Sequence, residues 1–65
     1  MRNFSVSNLL SREKFELESR LTTIKVVKLQ DNLWKTVTTP GDYVETWTSK
    51  QLMEMLNKLE DFNLA

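Results

Sequence analysis

Leu10, Phe15, Leu17 and Leu21 form an irregular apolar stripe near the start of the chain. Their spacing predicts a first helix that starts near Ser7 or Ser11 and ends near Leu21. Both serines are good N-caps, and Glu16 and Arg20 stand as a favourable i, i+4 pair. The stretch "FSVS" before it alternates, so residues 1–6 read as a short extended arm.

The pattern then changes. "TTIKVVKL" is dense in β-branched residues and predicts a strand. The alternative runs the first helix on through Lys28, which leaves residues 22–29 helical. "LWKTVT" and "YVETW" predict two more strands. Asp31 and Asn32 supply a turn between the first two. Pro40 and Gly41 suit the central positions of a type II turn between the second and third, although hairpin twist favours a longer loop there.

If Pro40 and Gly41 centre the loop, Trp34 faces Trp47, Val37 faces Val44 and Thr38 faces Tyr43. If Asp31 and Asn32 form the other loop, Val26 faces Val37 and Leu29 faces Trp34. One sheet face then carries Ile24, Val26, Val37 and Val44, and the other carries Leu29, Trp34, Tyr43 and Trp47.

A second helix follows at once. Thr48 is a good N-cap with Gln51 three residues on, the spacing of a capping box, and Trp47 and Leu52 are placed as a hydrophobic staple. Leu52, Leu56 and Leu59 repeat on one face, with Met55 and Phe62 beside them. The expected fold is therefore α+β: one small domain of helix, two- or three-stranded antiparallel meander, helix. Within it, "WKTVTTPGDYVETWTSKQLMEMLNKL" is similar in element order to small head–tail joining proteins of tailed phages. That likeness spans under half the chain and holds no diagnostic motif. It implies a structural or joining component of a phage particle.

Composition narrows the chemistry. The 65 residues contain neither cysteine nor histidine. Disulfides are excluded, the commonest zinc ligands are missing, and so are the usual general base and the strongest nucleophile. Gly41 is the single glycine, so no glycine-rich loop cradles phosphate. The acids Asp31, Asp42 and Glu45 fall in turns or on a strand, where structural roles explain them. No enzyme activity, cofactor or metal is expected. No apolar run spans a bilayer, and a cytoplasmic protein is expected.

The formal net charge is zero but unevenly spread. Residues 1–35 carry seven basic and four acidic groups; residues 36–65 carry two basic and five acidic ones. The expected function is a small protein-binding module that docks on a larger protein and modulates or inhibits it, as phage-type or mobile-element accessory proteins do. Its candidate contact residues are Tyr43, Met53, Trp34, Glu60 and Asp61. Tyrosine and tryptophan favour interface hot spots, methionine adapts to varied partners, and the two acids would oppose the dipole at the end of the last helix. A tryptophan pair packed in the core is the competing reading of Trp34 and Trp47. The alternative function is nucleic-acid binding by a basic sheet face of Lys25, Lys28 and Lys35, with Trp34 as a stacking surface and charge added by Arg2, Arg12, Lys14 and Arg20. A small core with apolar residues on both sheet faces also suits a homodimer.

Overall fold

The computed structural model describes residues 4–65. Residues 1–3, and Arg2 with them, lie outside that range. The order is α1 (Val6–Leu9), β1 (Lys14–Glu18), β2 (Thr23–Gln30), β3 (Leu33–Thr39), β4 (Tyr43–Trp47), α2 (Ser49–Lys58) and β5 (Asn63–Leu64). The five strands form one antiparallel sheet in the order β4-β3-β2-β1-β5. A helix–meander–helix arrangement is therefore not what the chain adopts. The stretch that resembled the joining proteins does form a hairpin and a helix, as β3, β4 and α2, but a strand and a single helical turn stand where the long first helix was expected.

The correction lies mostly in the first third. "KFELE" alternates strictly, and a period of two puts Phe15 and Leu17 on one face and Lys14, Glu16 and Glu18 on the other. The strand buries both apolar residues completely enough to outweigh helix propensity, which is a weak preference. Only one turn of helix precedes it. Ser7 lies inside α1, and Ser11 follows it and donates to the Asn8 carbonyl at 2.6 Å. Leu21 sits exposed in the turn between β1 and β2, where the Ser19 N–H donates to the Thr22 carbonyl. Phe4 packs against the core and Val6 opens α1.

Residues 22–29 lie in β2 rather than in a continued helix. The hairpin of β3 and β4 pairs Trp34 with Trp47, Val37 with Val44 and Thr38 with Tyr43, as its turn predicts. Gly41 at φ 104° and Asp42 at φ 50° turn the chain there. The pairing of β2 with β3 differs from expectation by one residue. Gln30 faces Leu33, but a register shift follows, and Lys28 faces Trp34 and Val26 faces Thr36. An extra residue on one strand moves every later side chain to the opposite face relative to its expected partner. So Ile24 and Val26 share a face with Trp34, whereas Val37 and Val44 lie on the other.

Both helices cover the face with Trp34. The core is Val6, Leu9, Phe15, Leu17, Ile24, Val26, Trp34, Leu52 and Leu56. The Phe15 and Trp34 rings meet tilted, with centroids 6.3 Å apart. Thr36 is buried among them, and its hydroxyl accepts from the Trp47 indole N–H at 2.9 Å. Among the described residues no helix is long and apolar enough to cross a membrane.

The start of α2 is fixed from three sides. Thr48 and Gln51 form the full capping box. The Asn32 side-chain oxygen, in the β2–β3 turn at φ 60°, accepts from the Ser49 N–H at 3.0 Å. The Trp34 indole donates to the Ser49 hydroxyl. Thr48→Ala removes one of these ties and should lower stability by about 1 kcal/mol in chemical denaturation. A change within error would mean that Asn32 and Trp34 alone hold the helix start.

Candidate protein-binding surfaces

Among the described residues, one face of the sheet is bare. Antiparallel pairing builds two rows across four strands on it: Lys14–Val27–Lys35–Thr46 and Glu16–Lys25–Val37–Val44. Val27 and Val44 are exposed and Val37 is half-buried. Val37 and Val44 face each other at the roughly 5 Å of cross-strand neighbours, and Val27 stands diagonal to Val37 in the adjoining row, about 7–8 Å away, so the three valines form a small apolar patch. Lys14, Lys25 and Lys35 border it with Glu16 beside them. Thr23 and Thr39, paired with each other, extend the surface toward Glu18. A solvated face is ordinary for an antiparallel sheet; its valine content is what sets this one apart.

A second surface runs along β4. Helical rotation of 100° per residue sets Gln51, Glu54, Met55 and Lys58 on the flank of α2 that looks toward β4. With Thr46 and Trp47 they line a groove between helix and strand. Tyr43, Val44, Glu45 and Thr46 are all exposed.

The expected contact residues do not converge. Tyr43 is 69% exposed at the start of β4, with its ring against Gly41. Met53 is exposed too, but it lies on the flank of α2 away from the groove. Trp34 is 1% exposed and belongs to the core. Glu60 and Asp61 follow the helix rather than ending it, since α2 stops at Lys58, whose charge has the favourable sign for that terminus. Asp61 lies beside Arg20 and Leu21 of the β1–β2 turn.

The basic residues divide as well. Lys25 and Lys35 share the bare face, joined by Lys14. Lys28 lies across the sheet, where its ammonium stands 5.9 Å from the Trp34 ring centroid and 3.9 Å from Asp31. Trp34, Trp47 and Phe15 are all on the helix side, so the strand pairing places no aromatic residue in the lysine-bordered rows.

Sequence reasoning missed the valine patch because a single extra residue in β2 decides which face Val37 and Val44 occupy. Nothing in "KVVKLQDNLWK" marks that residue in advance. The open groove beside β4 had a signal: Gln51, Glu54 and Lys58 are a polar stripe next to Met55. Comparison with protein-family models, with curated proteins and with solved structures finds no match to this chain.

Proposed function

We propose that this chain is a non-enzymatic protein-binding module that docks on a larger protein and modulates it. The observation that supports the reading most is the patch of Val27, Val37 and Val44, left bare while both helices lie on the other face. An apolar patch on an uncovered sheet face offers a place for a partner to dock. The surrounding lysines and Glu16 would make the rim of such an interface, where charges set orientation and encounter rate. The nucleic-acid reading draws less support, because the stacking tryptophan it needs is buried and Lys28 is on the far face.

The test is capture of partners by tagged protein after nuclease treatment, compared with the Val27→Thr, Val37→Thr double variant. Threonine keeps strand propensity while removing apolar surface. A partner retained by the parent chain and lost by the variant, with an unchanged melting temperature, is the expected result. Capture that disappears with nuclease would transfer the function to nucleic acid and to Lys14, Lys25 and Lys35. Self-capture, seen as a dimer that the variant dissolves, would make the patch a homodimer interface.

A further inference from the structure

The two edges of the sheet are treated differently. The β1 edge is covered over Glu16–Glu18: β5 pairs with Leu17 and Glu18, and the Ala65 N–H donates to the Glu16 carbonyl at 3.0 Å. Among the described residues, the β4 edge pairs with no further strand. Open edges expose a row of backbone donors and acceptors, and proteins normally blunt them with lysine, proline, a bulge or a covering element. "YVETW" has no lysine, proline or bulge; its one charge is Glu45, which faces Thr36 on the helix side. Its register with β3 runs without interruption over five pairs. The irregularity of this sheet is between β2 and β3 instead.

A strand added there would lie about 4.8 Å beyond β4. Its alternate side chains would enter the groove of Trp47, Met55, Glu54 and Lys58 on the helix side and flank Val44 on the other. On the helix side of this edge the acids Glu45, at the strand's centre, and Glu54, on the groove wall, stand against Lys58, with Asp42 just before the strand; Lys35, opposite Thr46, lies on the other face. Two copies pairing about Glu45 would set that carboxylate opposite itself, which is unfavourable.

Building on the protein-binding reading, we propose that the β4 edge takes up, as a sixth strand, an extended basic segment of the partner protein. Lysine or arginine on the segment faces Glu45 and Glu54, and β-branched residues lie beside Val44. Backbone pairing supplies affinity, and Glu45 together with Glu54 supplies selection.

Two end-blocked heptapeptides test this with the full chain: Thr-Lys-Val-Lys-Val-Lys-Thr and its counterpart with glutamate for each lysine. Amide NMR shifts and hydrogen exchange locate binding. The basic peptide should slow exchange of β4 amides, shift Thr46, Trp47 and Glu54, and bind about tenfold more tightly than the acidic one. Glu45→Lys with Glu54→Lys should reverse that preference. Glu45→Gln with Glu54→Gln should abolish it, a control that adds no new charge. Equal binding of both peptides, or shifts centred on Val27 and Val37, would overturn the proposal. So would protection of β4 that rises with protein concentration alone, which would make the occupant a second copy. The two readings fail separately: a partner still lost by the Val27→Thr, Val37→Thr variant would uphold the module while the edge proposal falls.

Discussion

Replacing Trp34 by alanine is expected to remove a large share of the stability of the fold. Trp34 is the largest of the fully buried side chains and lies in the sheet opposite Lys28 on one strand and Trp47 on the other. It packs on Phe15 and ties α2 to the sheet through the Ser49 hydroxyl at 3.0 Å. Loss of such a ring typically costs about 3–5 kcal/mol. A domain of this length has about 3–10 kcal/mol of total stability, so the loss takes much or all of it. Near-ultraviolet circular dichroism and a urea titration would show the change. Trp34→Phe should retain the fold at a smaller cost, because it keeps most of the packing and gives up the indole N–H. An alanine variant with the parent midpoint would return Trp34 to the surface as a contact residue, and would contradict the position of α2.

What could be read from the sequence depended on how local the deciding interaction was. The β3–β4 register rests on one short loop around Gly41, and all three expected pairs form. The start of α2 rests on Thr48 and Gln51, three residues apart, and both halves of the capping box form. The β2–β3 register rests on the shift between Lys28 and Gln30, which no residue type announces. That shift exchanged the faces of the valines and of Ile24 and Val26, and with them the boundary between core and candidate interface. Met53 was legible as exposed because it stands off the stripe of Leu52, Leu56 and Leu59, whereas Tyr43 shares a face with Trp47 and its exposure is not announced by the alternation. Their separation onto different surfaces follows from the packing of α2, which local pattern does not contain.

The first third of the chain offers the sharpest contrast between the two periods, and a pair of substitutions separates them. A helical stripe makes Leu17 and Leu21 equivalent, one turn apart on the same face. In the sheet they are opposites. Leu17 is fully buried on β1, between Ile24 of β2 and Leu64 of β5. Leu21 is 84% exposed in the turn that follows. Leu17→Ala should therefore lower stability by about 2–5 kcal/mol, and Leu21→Ala should change it by no more than about 0.5 kcal/mol. The urea midpoints of the two variants measure the difference directly. Similar losses at both positions would restore the helix and remove β1, and the bare face would then lose Lys14 and Glu16 from its border. A large loss at Leu17 alone fixes the strand, because only a period of two buries Phe15 and Leu17 while releasing Lys14, Glu16 and Glu18 to the side where Val27, Val37 and Val44 stand uncovered.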